Sequence, residues 1–202
     1  MNDEQNTKER ILKTAAELFA EHGFEQTSMR EIAEKSNITK PVIYYYFTDK
    51  KHLFEEIIRA SLAHANENLK AIDASSKPAI EKLYDLVMAR FEEILDHPEI
   101  ARFTFNIMSG NIPFGISVDL INELKPHVDF IFRIIDTGQK NGEFRKDLDM
   151  SSFLACLFGA INSYIMRFFR LNINDLNLER AKFLVDTLVE GIANQDYARS
   201  NE

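Results

Sequence analysis

Apolar residues recur at helical spacing along almost the whole chain. Ile11, Leu12, Ala15, Leu18 and Phe19 form one stripe, and Gly23 follows as a C-terminal stop. Ser28 with Glu31 reads as a capping box before a very short helix through Ile32 and Ala33. That helix ends at Ser36-Asn37, where asparagine takes the left-handed conformation more cheaply than most residues. Thr39 is placed to cap a second short helix with Pro41 in its first turn, where a missing N–H costs nothing. Thr48 or Asp49 caps a longer helix carrying Leu53, Phe54, Ile57, Ile58 and Leu62 on one face.

From Ala74 to Lys77 the composition turns small and polar, which puts a domain boundary near there, inside or just after a long helix. Pro78 opens a helix through Ile80, Leu83, Tyr84, Val87, Phe91, Ile94 and Leu95, and His97-Pro98 stops it. A shorter helix carries Ile100, Phe103, Ile107 and Met108, and residues 109–117 read as a loop. Residues 118–139 are helical but broken or kinked at Pro126, 141–149 connect, and two strong helices follow at about 151–170 and 177–194. The pattern contains no convincing strand alternation and no internal repeat.

The two short helices meet through a tight turn, Ser36 to Thr39, which matches a helix-turn-helix. In the second of them Val42 or Ile43, Tyr46 and Phe47 point inward, and Lys40, Pro41, Tyr44 and Tyr45 point outward. Charge sharpens this reading. The chain of 202 residues carries a net charge of -8, so a nucleic-acid site has to be local. From Ser28 to Lys51 the cations Arg30, Lys35, Lys40, Lys50 and Lys51 outnumber Glu31, Glu34 and Asp49, so this segment is basic within an acidic chain.

Residues 8 to about 58 resemble the DNA-binding domain of the TetR family of bacterial transcriptional regulators. The resemblance rests on ILKTAAELFAEHGFEQTSMREIAEKSNITKPVIYYYFTDKKHLFEEII, with its A-x-x-L-F-x-x-x-G-F, T-S-x-x-x-I-A and K-P-x-x-Y-Y-Y-F-x-x-K pieces. Asn37 departs from the family's usual glycine. The resemblance implies an all-α protein: an N-terminal three-helix helix-turn-helix DNA-binding domain over 1–50, a connecting helix at about 49–72, and a C-terminal helical ligand-binding and dimerisation bundle over 51–202. It implies that Thr27 and Ser28 hold a phosphate, that Arg30 reaches base edges, and that Thr39, Lys40, Pro41 and Tyr44 lie in the major groove. Tyr45 and Lys50 would grip phosphates. The partners implied are a double-stranded DNA operator, a second copy of the chain, and a small effector.

The last two helices look built for dimerisation. Ala155, Gly159 and Ser163 recur every four residues as a shallow strip, and Leu178, Ala181, Val185, Leu188 and Ile192 step by three and four as a seam. The bundle is rich in aromatic rings, which suits an apolar pocket for a lipophilic small molecule, with Phe91, Phe103, Met108, Phe130 and Asn162 as candidate lining. The rival readings are an enzyme and a DNA-bound scaffold controlled by a protein partner. Five histidines stand at 22, 52, 64, 97 and 127 without H-E-x-x-H or paired Glu-x-x-His spacing, and the seven glycines form no nucleotide-binding pattern. Neither a metal nor another cofactor is expected. Cys156, the single cysteine, is expected to be buried and inert. With one cysteine, no apolar leader and no uncharged apolar run of about 18 residues, the expectation is a cytoplasmic protein without a membrane span.

Overall fold

A computed structural model describes residues 3–108, 113 and 120–190, with the side chains of Asp3, Met108 and 120–124 left out. Among the described residues the regular structure is entirely helical: α1 Asp3–His22, α2 Met29–Lys35, α3 Lys40–Tyr46, α4 Lys50–Asp73, α5 Ala79–Asp96, α6 Pro98–Met108, α7 Leu120–Asn141, α8 Met150–Leu171 and α9 Leu178–Glu190. The chain divides into two compact units. The first comprises Met1–Asn68 with Glu93–Pro126, and the second Leu69–Glu92 with His127–Glu202. The division cuts through α4, α5 and α7.

In the first unit the N-terminal stripe is the core. Ile11, Ala15, Leu18, Ile32, Ile43, Phe47, Leu53 and Ile57 are fully buried, and α6 contributes Phe103 and Ile107 to the same cluster. α1 packs along α6. Rings dominate the centre: Phe103 lies 4.8 Å from Phe54 edge-on, and Phe19 lies 5.4 Å from Phe54. These tilted and edge-to-face pairs add to ordinary area burial. Phe103 is therefore part of this core and not of an effector pocket in the bundle, a correction that comes from α6 folding back onto α1.

The second unit is built from inward faces of α5, α7, α8 and α9. Leu83, Val87 and Phe91 on α5 meet the same requirement as Phe130, Ile131, Ile134 and Ile135 on α7, Phe153, Leu157, Ile161 and Ile165 on α8, and Leu184 and Val185 on α9, all of them buried. α7 runs through Pro126 without a break. One lost hydrogen bond is outweighed by the buried apolar face that follows it. Local signals end the helices as their chemistry dictates. Asp149 accepts from the Ser152 N–H at 3.0 Å to start α8, and hydrogen bonding from the Ser152 side chain, then from its N–H, holds the carboxyl below the usual carboxylate range. Asn172, in the left-handed conformation at φ 55°, ends α8. After α7, the Gly138 carbonyl accepts from the N–H groups of Glu143 at 2.7 Å and Phe144 at 3.2 Å. Gly142 makes that turn possible at φ 79°.

Candidate nucleic-acid interface

The reading head is assembled from short-range caps and a few long-range anchors. Ser28 Oγ accepts from the Glu31 N–H at 3.1 Å and starts α2. The reciprocal half of the expected box is not made, because Glu31 Oε1 turns to His22 Nδ1 at 3.6 Å. Asn37 sits at φ 53°, and its N–H donates to the Glu34 carbonyl while that of Ile38 donates to Ala33. The asparagine thus does the work of the glycine common in this position of the resembling family. Arg10 Nε, from α1, donates to the Ser36 carbonyl at 3.0 Å and steadies the turn. Thr39 occupies the cap position of α3 without a side-chain hydrogen bond, so its hydroxyl is left for another partner. Of the two candidates for capping α4, Asp49 does so, accepting from the His52 N–H at 2.8 Å.

α3 divides its aromatic run cleanly. Ile43 and Phe47 are buried at 0% exposure, and Tyr46 is half-buried with its hydroxyl donating to the Glu4 carbonyl at 3.3 Å. Tyr45 is 74% exposed and Tyr44 43%. Lys40 and Pro41 are exposed, one turn before Tyr44 and Tyr45 and on the same face. The Lys40 ammonium lies 5.9 Å from the Tyr44 ring, and the Tyr45 ring stands edge-on to Tyr46 at 5.1 Å. A cation, an imino ring and two phenols therefore project together from a helix whose other face is locked in the core. That combination can bond phosphate oxygens, pack on sugars and read base edges.

At the start of α2, the cap residue Ser28 and Arg30 are exposed. Arg30 Nε pairs with Glu34 Oε1 at 2.7 Å, and this hydrogen bond raises the guanidinium above its ordinary pKa. An exposed pair of this kind exchanges easily for a DNA acceptor. Two of the expected phosphate ligands are placed differently. Thr27 is buried, and its hydroxyl donates to the carbonyls of Gly23 at 2.8 Å and Leu18 at 3.3 Å, so its side chain secures the α1–α2 corner. The Lys50 ammonium donates to the carbonyls of Phe24 at 2.6 Å, Thr27 at 2.9 Å and Glu25 at 3.4 Å. Arg10 and Phe24, which organise this region, were invisible in the sequence because their partners lie 26 residues away.

The bundle residues are also sorted. Phe91 and Phe130 are buried in the second unit, with Phe91 5.6 Å from Tyr164. Asn162 is exposed on the outer face of α8 and cannot line a pocket inside its own bundle. The Met108 side chain lies outside the described residues. Ala155, Gly159 and Ser163 are all exposed on α8, and Cys156 lies among them, exposed and not buried as expected. On α9 the seam is split: Ala181 and Val185 are buried in their own subunit, at 0% and 1% exposure, Leu188 is half-buried, and Leu178 is exposed. The outward apolar residues there are Leu178 and Phe183, and Ile192 lies outside the described residues. α8 is long and apolar enough, by length and composition alone, to cross a membrane, although the sequence pattern predicted no span. Phe153, Leu157, Ile161 and Ile165 of α8 are buried, whereas Phe158, Met166 and Leu171 are exposed. A separate cleft of about 290 Å³ lies in the first unit and is lined by Glu17, Ala20, Glu21, Pro98, Glu99 and Arg102. Its acidic lining differs from the apolar pocket expected in the bundle.

A short helix anchored by Ile43 and Phe47, preceded by a four-residue turn and presenting cations and phenols, defines a helix-turn-helix DNA-binding protein. The family model for bacterial regulatory proteins of the tetR family matches residues 11–57, and the model for the C-terminal region of YsiA-like proteins matches residues 54–190. The chain belongs to the tetR family of transcriptional regulators. The HTH-type transcriptional repressor KstR2 of Rhodococcus jostii (strain RHA1) is 29% identical over 143 residues, 69% of this chain and 69% of that protein. The fatty acid metabolism regulator protein of Bacillus subtilis (strain 168) is 22% identical over 189 residues, 92% of this chain and 95% of that protein. The structure of the transcriptional regulator FadR from Bacillus subtilis in complex with stearoyl-CoA superposes with a TM-score of 0.74 at 21% identity, covering 92% of this chain and 99% of that one. At such identity the likeness concerns the fold.

Proposed function

We propose that this protein is a repressor that binds a palindromic operator as a homodimer and is released by a lipophilic effector of the fatty acyl thioester class. The observation that carries the DNA half of this reading is the outward face of α3, where Lys40, Pro41, Tyr44 and Tyr45 stand exposed above a buried Ile43 and Phe47. Thr39, Ser28 and Arg30 flank that face and complete the contact set. Lys40 and Tyr44 read base edges, while Tyr45 and Ser28 hold phosphates. Two copies place their α3 helices about one DNA turn apart, roughly 34–36 Å, or a little more.

The effector half draws support from the FadR structure with stearoyl-CoA and from the ring-rich interior of the bundle around Phe91 and Phe130. In this reading the effector domain is the bundle over 51–202, and the reading head is the segment over 1–50. α4, like α5 and α7, has residues in both compact units, and it alone of the three follows the recognition helix directly in the chain, which supports it as the element through which an effector in the bundle acts on the reading head. By linkage, operator DNA must weaken effector binding by the same factor that effector weakens operator binding. The protein works where DNA is, in the bacterial cytoplasm.

The test is operator selection from random duplexes, followed by gel-shift titration with and without stearoyl-CoA. The expected result is a palindromic site whose complex dissociates on addition of the thioester. Lys40→Ala should change the order of preference among half-site variants, whereas Tyr45→Phe should weaken all of them alike. Absence of salt-sensitive binding to any duplex would sink the reading. Unchanged relative affinities for Lys40→Ala would remove the assignment of Lys40 to base readout.

A further inference from the structure

Lys50 stands at the first position of α4, a place where a cation meets the positive end of the helix dipole. A lysine left there with no partner is electrostatically disfavoured unless an anion or a set of carbonyl oxygens faces it. The structure supplies the carbonyls. The ammonium has three N–H donors, and the carbonyls of Phe24, Thr27 and Glu25 accept at 2.6, 2.9 and 3.4 Å. The same nitrogen lies 4.2 Å from the centroid of the Phe24 ring, within cation–π range. Every donor is engaged, so binding a phosphate would require breaking a bond to the corner.

The contact does not end at the ammonium. Phe54, one turn further along the same face of α4, meets the Phe24 ring edge-on at 5.3 Å. Phe24 also packs on Phe19 of α1 at 5.5 Å. Thr27, whose carbonyl Lys50 holds, is tied back by its hydroxyl to the Gly23 carbonyl at 2.8 Å. The next residue, Ser28, caps α2. The first turn of α4, the α1–α2 corner and the start of α2 are thereby joined through one side chain.

We propose that Lys50 is an internal latch, a positioning residue that binds the start of α4 to the α1–α2 corner, and that it is not a phosphate ligand. Displacement of the first turn of α4 is carried through it to Ser28 and Arg30 at the start of α2, not only to the recognition helix. The DNA-facing role of that edge rests on the function proposed above, whereas the latch itself is a property of the folded chain.

The experiment uses full-length Lys50→Met, which keeps an unbranched apolar stem against Phe24 and removes the donors. Two readouts separate the roles. The first is amide hydrogen exchange without DNA. The Glu31 and Ile32 N–H groups, bonded to Ser28 Oγ at 3.1 Å and the Ser28 carbonyl at 3.0 Å, should exchange about tenfold faster or more, while the Phe47 N–H, bonded to Ile43 at 2.9 Å, stays within about twofold of wild type. Uniform acceleration at all three sites would overturn the latch, because it reports only global loss of stability. The second is the salt dependence of operator binding. Affinity should fall with the slope of log K against log salt unchanged. A slope shallower by about 0.9 per bound subunit identifies a lost phosphate contact and overturns the proposal whatever the amides do. If wild-type protein binds no duplex, the proposed function fails, and the exchange readout still decides the latch.

Discussion

At the scale of single residues, the same residue type does opposite work within a few positions. Tyr44 and Tyr45 are outward, Tyr46 is half-buried, and Phe47 lies in the core, because a helix turns each successive side chain by about 100°. Gly138 shows how tight the second unit is at one point. A Cβ there would overlap the Phe144 ring and come within 3.0 Å of the Ala79 Cβ. In an open helix, alanine in place of glycine gains up to about 1 kcal/mol. Here Phe144 is 7% exposed and has no open side to swing into, so overpacking of about 1–3 kcal/mol should win. Gly138→Ala is therefore expected to lower the Tm in a thermal melt, and a rise would show that the ring relocates freely.

At the scale of elements, the helices are joined by a few polar bonds whose loss can be measured. Tyr84 on α5 donates to Asp186 on α9 at 2.5 Å, with the Lys182 ammonium 5.8 Å from its ring. Partial burial, then the hydrogen bond and the negative charge of Asp186, push the Tyr84 phenol up to about 12 from 10.0. A phenol whose folded pKa is raised adds stability that is complete below the unfolded value of 10.0 and is lost as pH rises through about 12. The pair is only partly buried, so Tyr84→Phe should cost about 1 kcal/mol near neutral pH. In urea unfolding, the gap between wild type and variant should hold up to about pH 10 and close toward pH 12. A gap independent of pH over that window would mean that the phenol is not perturbed.

At the scale of the whole molecule, the outward surface of α8 is the feature a single chain leaves unexplained. Ala155, Gly159 and Ser163 are exposed together with Phe158 and Met166, and α9 adds Phe183 at 60% exposure. A Cβ on Gly159 meets nothing within 4 Å among the described residues. Gly159→Trp should therefore leave each subunit folded, with unchanged helical content by circular dichroism. If the homodimer is built on this strip, the same variant should sediment as a monomer and lose tight operator binding. A dimer of undiminished stability in Gly159→Trp would move the interface elsewhere. If the homodimer is built there, the apolar character that makes α8 pass for a membrane span follows, since a surface buried only on association is apolar for the same reason as a core.

What the sequence determined by itself was local. Periodicity, caps and breakers placed the helices, Asn37 and Thr39 marked the turn, and the pattern within Tyr44–Phe47 separated the exposed side of α3 from its core side, because each depends on residues within about one turn. Tertiary structure alone decided what long-range partners occupy. It sent Phe103 into the N-terminal core, turned Ala181 and Val185 inward, left Cys156 and Asn162 outside, and spent the Lys50 ammonium on carbonyls 23 to 26 positions earlier in the chain. A heptad-like step shows that a helix has an apolar face but not which neighbour covers it, and a lysine code shows a positive charge but not the oxygen that holds it.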